Sequence, residues 1–474
     1  MHRSPIALAL IDSIARIALA VRTAFTVQGT LAARGTFTVR RSMAARLALV
    51  ALVALAAPLA ACQSDSRAGS EPEVELAATA QELGVAGAGV TREHVAGDVY
   101  RYGFVLPVGN GPNARVRVHR VVRERAPWQP RRAAAAVMLL HGDFATFGTN
   151  FASPGAGMAR WLAERDIDVW GVDRRWTQAP ATGADLSDFG AMGIAQELDD
   201  LGAALALARG IRLVTDASTE RLTLVGFSRG GELAYFYASR EAARPAAQRH
   251  VKGLVPLDVY ASLAPEDEEL RQFFCASAAY EYDALAAGEV DSPNDFQIEA
   301  GRGALTAPDA PNAYYSWWTN REVMRILVGQ TYMLFSPSPL YHLNAPVLDG
   351  DVVTGLRESS EAVVSEWLAH APPHQSMRES ADTDALTCGD APLPADVPLS
   401  RIEVPLLLIA AAGGYGEHAL YSTTQVSSTD VTTLVIRQLP VEREAEDFGH
   451  ADLLFSPDAP GLAWQPLLTW LRAH

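Results

Sequence analysis

Residues Gly226-Phe227-Ser228-Arg229-Gly230-Gly231 follow the apolar run Leu222-Thr223-Leu224-Val225 and precede the helix-like stretch Glu232-Leu233-Ala234-Tyr235-Phe236-Tyr237. A buried strand passing straight into a helix here needs a turn so tight that the positions two residues either side of Ser228 must lack a bulky side chain. Glycine stands at both, Gly226 and Gly230. The same turn forces the serine into a strained conformation that points its hydroxyl outward. A G-x-S-x-G match is weak by itself. The rest of the chain must carry the reading.

With 474 residues, of which 49% are apolar, the chain has the means to bury a large core. A net charge of -16 argues against nucleic acid or an anionic membrane surface as the main partner. That acidity is not uniform. Up to Ala61 there are seven arginines and one acid, Asp12, the asymmetry of a targeting segment. From Met43 a basic start gives way to the apolar run Leu47 to Ala57, then to Pro58-Leu59-Ala60-Ala61-Cys62 and the polar Gln63-Ser64-Asp65-Ser66.

Leu59-Ala60-Ala61-Cys62 resembles the lipobox of bacterial lipoproteins. The resemblance implies a signal peptide over 43–61, lipidation of Cys62, export, and anchoring to a membrane, the outer membrane or cell surface. A plain signal peptide or a transmembrane anchor is the alternative, although the apolar run is short for a span. Residues 1–42 then read as a leader or as a start placed too far upstream. Three cysteines leave an odd thiol in an exported protein. Lipidation of Cys62 removes the oddity, leaving Cys275 and Cys388 either as a disulfide or as two separate buried thiols.

Residues 62–94, rich in Ser, Gly, Ala and Glu, read as a flexible tether. Beyond it, Asp98 to Val108 and Ala114 to Val122 flank the turn Gly109-Asn110-Gly111-Pro112-Asn113, a hairpin signature. Short apolar runs follow at 133–140, 167–172, 221–225 and 253–257, separated by helical stretches at 155–165, 189–209 and 231–243. The pattern resumes with runs at 405–410 and 431–436 and a closing helix near 464–472. Buried strands alternating with helices predict an α/β fold: eight strands in a mostly parallel sheet, helices on both faces. The core would comprise 95–262 and 401–474. Between them, 263–400 is aromatic and proline-punctuated, with Phe273-Phe274, Tyr314-Tyr315, Trp317-Trp318, Tyr332, Phe335 and Tyr341. This insertion reads as a cap over the sheet.

A serine that attacks a carbonyl needs a base, a group to orient the base, and donors for the oxyanion. His450 stands between the last strand and the last helix. Met138-Leu139-Leu140-His141-Gly142-Asp143-Phe144 offers a strand-ending loop whose Asp143 N–H, or that of Phe144, would face the serine, and the Arg229 N–H would supply the second donor.

With His141-Gly142, Thr146, Asn150, Phe151, Asp168-Val169-Trp170, Glu197-Leu198-Asp199-Asp200-Leu201 and Gly449-His450-Ala451-Asp452 in this order, the chain resembles the α/β-hydrolases, and within them the acid-lipase and gastric-lipase branch. The match covers roughly 133–262 and 401–474. It implies the α/β-hydrolase fold and ester hydrolysis by a Ser-His-acid triad, with Ser228 and His450 carried over and no cofactor or metal. The substrate would be a small-molecule or lipid ester. The acid departs from the branch, where it follows the seventh strand. The corresponding loop here is Gly413-Gly414-Tyr415-Gly416-Glu417-His418, with glycine at that position. Glu417, one residue late, and Asp258, at the end of the sixth strand, are the alternatives, with Asp447 and Asp452 behind them. Two other readings stand beside a carboxylesterase or lipase: a serine peptidase, and an inactive binding lipoprotein on the same fold. A metallophosphoesterase built on His141-Gly142-Asp143 and Gly449-His450-Ala451-Asp452 lacks further ligand motifs.

Overall fold

A computed structural model of the chain describes residues 90–153, 157–216, 218–331, 342–389 and 395–474. The expected leader, signal peptide, lipidated Cys62 and most of the tether lie outside the described residues, as do Tyr332, Phe335 and Tyr341.

One sheet organises the core. Its strands are β1 (Thr91–Ala96), β2 (Val99–Pro107), β3 (Arg115–Ala126), β4 (Gln129–Pro130), β5 (Ala135–Leu140), β6 (Ile167–Asp173), β7 (Leu222–Phe227), β8 (Val251–Leu257), β9 (Leu406–Ala411) and β10 (Val431–Ile436). They lie in the order β1-β2-β3-β6-β5-β7-β8-β9-β10, with β4 paired to β3. From β6 through β10 the pairing is parallel, whereas β1, β2, β3 and β4 join antiparallel. The sheet therefore has ten strands, not the expected eight, and an antiparallel side. All eight expected strands are present. β4 is a two-residue return against β3. β1 carries no apolar run because it is an edge strand exposed over most of its length. Its Arg92, Glu93 and His94 give no alternation, and charge on an edge discourages pairing with other chains.

The central strands β5, β7 and β9 are buried at every residue, which is why they read as unbroken apolar runs. One face is covered by helices α1 (Ile194–Asp216) and α2 (Arg229–Ala242), through Leu198, Leu201, Leu205, Leu233 and Phe236. Phe147, Phe151, Met158, Leu162, Trp464, Leu467 and Leu471 cover the other. Across the sheet, a buried ionic centre locks β6 to β3 and α1. Asp168 accepts two 2.8 Å hydrogen bonds from Arg120 and one of 3.2 Å from Arg212. All three side chains are inaccessible to water, so the charges are tolerable only as a set.

Chain order reverses beside β5. The chain leaves β5 for β6 on one side and returns to β7 on the other. The loops after β5 and β7 therefore diverge, and a crevice opens at the carboxyl ends of the strands, the place where open α/β sheets bind ligands.

Between β8 and β9 the inserted segment forms helices and two short ribbons. Helix α3 (Glu268–Ala286) packs on α4 (Met377–Cys388). Ser376 caps α4 by accepting from the Glu379 N–H, and Gly389, at φ 76°, ends it in the left-handed region. Cys275 of α3 and Cys388 of α4 are joined in a disulfide with a Cα–Cα distance of 4.9 Å. The aromatic residues of this segment divide. Phe273 and Phe274 face inward to a cavity, whereas Trp317 is 65% exposed and Tyr314 51%.

The bridge spans 113 residues. A loop that long restricts the unfolded chain, and losing such a link costs about 2–5 kcal/mol. Replacing both cysteines, Cys275→Ser with Cys388→Ser, is expected to lower the stability measured by denaturant titration by about that amount. An unchanged midpoint would show that the insertion does not depend on it.

Candidate active site

The elbow forms as the turn between β7 and α2. Ser228 sits at φ 54° and ψ -132°, a region that a residue with a side chain occupies only when its surroundings hold it there. Its N–H donates to the Leu257 carbonyl at 3.1 Å, and its own carbonyl accepts from the Gly231 N–H at 2.6 Å. A side chain at Gly226 would strike the Gly230 backbone, and one at Gly230 would strike the Leu140 carbonyl. Both glycines are thus required by close packing, as the sequence predicts. The outcome is a half-buried serine at the floor of a cavity, at the end of the central strands.

His450, on the loop after β10, lines the same cavity. Its Nδ1 lies 2.7 Å from Asp258 Oδ2. Its ring stacks on Phe227 at a centroid distance of 4.4 Å and meets the edge of Tyr415 at 5.3 Å. These contacts restrict the imidazole plane. Asp258 follows β8 directly, at φ 47° and fully buried. Beyond His450 it accepts from the N–H groups of Ala411 at 2.9 Å, Tyr415 at 3.1 Å and Gly416 at 3.3 Å. The hydrogen-bonding capacity of this buried carboxylate is thus met by the protein itself.

The other acid candidates sit elsewhere. Glu417 has a side chain 62% exposed, with Arg437 at 3.8 Å. Asp447 accepts from the N–H groups of Gln438, Leu439 and Phe448 and so folds its own loop. Asp452 accepts from Gly449 and Ala345 N–H, Asn344 Nδ2 and Ser359 Oγ, tying the histidine loop to the insertion. In the loop where the sequence places glycine instead of an acid, the glycine at 414 has a physical cause: a Cβ on Gly414 would fall on Asp258 Oδ2. The Asp258 carboxylate fills the space that a side chain from the β9 loop would take.

The loop after β5 supplies the remaining groups. Gly142 N–H donates to Asn150 Oδ1 at 3.0 Å. The Arg174 guanidinium, buried behind the loop, donates to the His141 and Gly142 carbonyls and pairs with Glu379 of α4. Burial and the Arg174 charge push His141 down to about 3, and its ring is hydrogen-bonded within the loop, Nδ1 lying 2.9 Å from the Gly142 carbonyl and 3.1 Å from the Arg174 guanidinium. Phe144, at φ 45°, has its N–H engaged by Gln375 Oε1 at 2.8 Å. That removes Phe144 as the alternative donor. The N–H groups of Asp143 and Arg229 make no hydrogen bond among the described residues, and both residues line the cavity with Ser228. Sequence reasoning missed Arg174 and Gln375, which carry no motif. Asn150 was visible only through a family resemblance.

The cavity has a volume of about 350 Å³. Tyr260, Phe273, Phe274 and Tyr415 make one wall and Leu327, Leu343, Trp367 and Leu368 another, with Ser277, Glu281, Gln375 and Asp384 as polar groups between them. Burial, with repulsion from Asp384, pushes Glu281 up to about 8. Among the described residues no three His, Cys, Asp or Glu side chains cluster closely enough to hold a metal ion.

No protein-family model matches the sequence, and no curated protein matches it. Solved structures do. A candidate lipase from Sulfolobus solfataricus superposes with a TM-score of 0.55 at 16% identity, over 81% of this chain and 98% of the other. A soluble variant of monoglyceride lipase from Saccharomyces cerevisiae reaches 0.43 at 12% identity, over 81% and 96%. A laboratory-evolved potato epoxide hydrolase reaches 0.35 at 15% identity, over 81% and 100%. At 16% identity the likeness to the first of these is one of architecture alone, and it agrees with the mixed sheet and flanking helices in showing an α/β-hydrolase-like fold.

Proposed function

We propose that the protein is a serine ester hydrolase in which Ser228, His450 and Asp258 act as nucleophile, base and orienting acid. The observation that carries this reading is the 2.7 Å pairing of His450 Nδ1 with the fully buried Asp258, in the same cavity as a serine held in a strained elbow. With Nδ1–H directed at the carboxylate, Nε2 is the nitrogen that accepts the Ser228 proton. The serine oxygen adds to the ester carbonyl, and the oxyanion is held by the N–H groups of Asp143 and Arg229. Collapse of the tetrahedral intermediate expels the alcohol, which takes the proton from His450. Water, deprotonated by the same histidine, then releases the acid and restores Ser228. Asp258 keeps its charge throughout and stabilises the imidazolium.

The mostly apolar cavity walls support an ester with an apolar acyl or aromatic part, as carboxylesterases and lipases take. The sequence resemblance to the acid-lipase and gastric-lipase branch supports the same class. The lipobox-like Leu59-Ala60-Ala61-Cys62 supports anchoring of the exported protein to a membrane through lipid on Cys62.

Turnover of p-nitrophenyl esters by Ser228→Ala or His450→Ala is expected to fall by roughly 10⁴-fold or more. Undiminished rates would end the proposal. Asp258→Asn should lose on the order of 10³–10⁴-fold in kcat, whereas Glu417→Gln should match the parent; the reverse result would move the acid to Glu417. Gly414→Ala, which pushes on the Asp258 carboxylate, should lose activity in the same direction as Asp258→Asn. For the anchor, Cys62→Ser in the full chain should move the protein from the membrane to the soluble fraction, and unchanged fractionation would refute lipidation.

A further inference from the structure

The two proposed oxyanion donors belong to residues whose side chains are bonded to each other. Arg229 Nε donates to both Asp143 oxygens, at 3.0 and 3.2 Å. The pair is held from the insertion at both ends. Gln375 Nε2 donates to Asp143 Oδ1 at 2.6 Å while its Oε1 accepts from Phe144 N–H at 2.8 Å. On the other side, Asp384 of α4 lies 3.6 Å from the Arg229 guanidinium.

Gln375 is itself immobilised. It is 1% exposed, in the middle of the ribbon His374–Ser376 that pairs with Asp291–Pro293. Its N–H donates to Asp291 Oδ1 at 3.2 Å, and the next residue, Ser376, donates to the carbonyls of Phe189 and Met192. One amide side chain thereby fixes the two successive residues of a loop whose second member is strained at positive φ.

We propose that Gln375 is a positioning residue through which the inserted cap sets the oxyanion hole. It holds Phe144 in its left-handed conformation, and this aims the preceding Asp143 N–H at the reacting oxygen. It also orients Asp143 to grip Arg229, so that both donors are fixed by one side chain. The core alone leaves the loop without this support. A misplacement of about 1 Å is enough to cost on the order of 10²-fold in rate. The amide is suited to the task because it donates to a carboxylate with one end and accepts from an N–H with the other, which neither an acid anion nor a hydrocarbon does.

This inference rests on the ester-hydrolase reading for its kinetic arm and on geometry alone for its other arm. In the kinetic arm, Gln375→Ala should lower kcat on a p-nitrophenyl ester by about 10–100-fold with KM nearly unchanged, because a transition-state interaction is lost and substrate binding is not. Gln375→Glu adds a signature that a purely structural residue lacks. When protonated, the introduced carboxyl still donates to Asp143 and accepts from Phe144. Once ionised, it faces the Asp143 carboxylate. Asp291 and His374 of the ribbons stand beside it, and the Asp143–Arg229 pair it holds is faced by Arg174 and His141 behind the loop, Glu232 of α2, Glu281 of α3, and Glu379 and Asp384 of α4. The ratio of its kcat to that of the parent at equal pH, which cancels every pH dependence the two proteins share, should fall at least severalfold as pH rises. A flat ratio, or a loss confined to KM, overturns the proposal.

The second arm is amide hydrogen exchange at Phe144 in the parent and in Gln375→Ala. Exchange at that amide should quicken severalfold in the variant while β5 and α2 keep their protection. Unchanged exchange overturns the clamp whatever the kinetics. If the parent hydrolyses no ester, the functional reading fails, and the exchange result still decides whether Gln375 holds the loop.

Discussion

A single buried carboxylate, that of Asp258, holds together the carboxyl ends of β8, β9 and the loop after β10. It reaches Ala411, Tyr415 and Gly416 through their N–H groups and His450 through its ring. Leaving any of these donors unpaired in a water-free site would cost about 1–3 kcal/mol. The loop after β9 is therefore folded around the acid. Glycine at 414 follows from this arrangement, since its missing side chain is the space the carboxylate uses. The acid, the histidine and the loop between them form one unit.

Polar contacts also bind the inserted segment to the core. Glu379 reaches Arg174, Gln375 reaches Asp143 and Phe144, and Asn344 and Ala345 reach Asp452 beside the histidine. Such groups are expensive to bury and depend on exact partners. Apolar packing would let the cap slide, while directional bonds fix its registry against the loops that carry Ser228, His450 and the two donors. The cap thus contributes both the apolar walls of the cavity and the bonds that hold its floor in place.

Much of this was legible residue by residue. The central strands announce themselves because burial on both faces demands continuous apolar side chains, as in Ala135–Leu140 and Leu406–Ala411. The elbow is legible because sterics leave only glycine at 226 and 230. The edge strand Thr91–Ala96 was not, because an exposed strand carries no hydrophobic signature. Nor was Gln375 visible, since a glutamine 231 residues from Phe144 carries nothing in the sequence to mark its partner.

The sequence by itself determined the strand–turn–helix unit at Ser228, the alternation that makes a sheet covered on both faces, and a short set of carboxylates that could stand beside His450. These are local matters, governed by backbone sterics and by the period of apolar residues. Tertiary structure alone decides which carboxylate meets His450. Asp258 and His450 are 192 residues apart, and only the side-by-side placement of β8, β9 and β10 brings their loops together. The same holds for the loop after β5, whose Phe144 N–H and Asp143 carboxylate meet Gln375, a residue of the insertion brought to them by the fold. Hydrogen bonds between distant segments have no period and no spacing, so nothing short of the folded chain could name the partners.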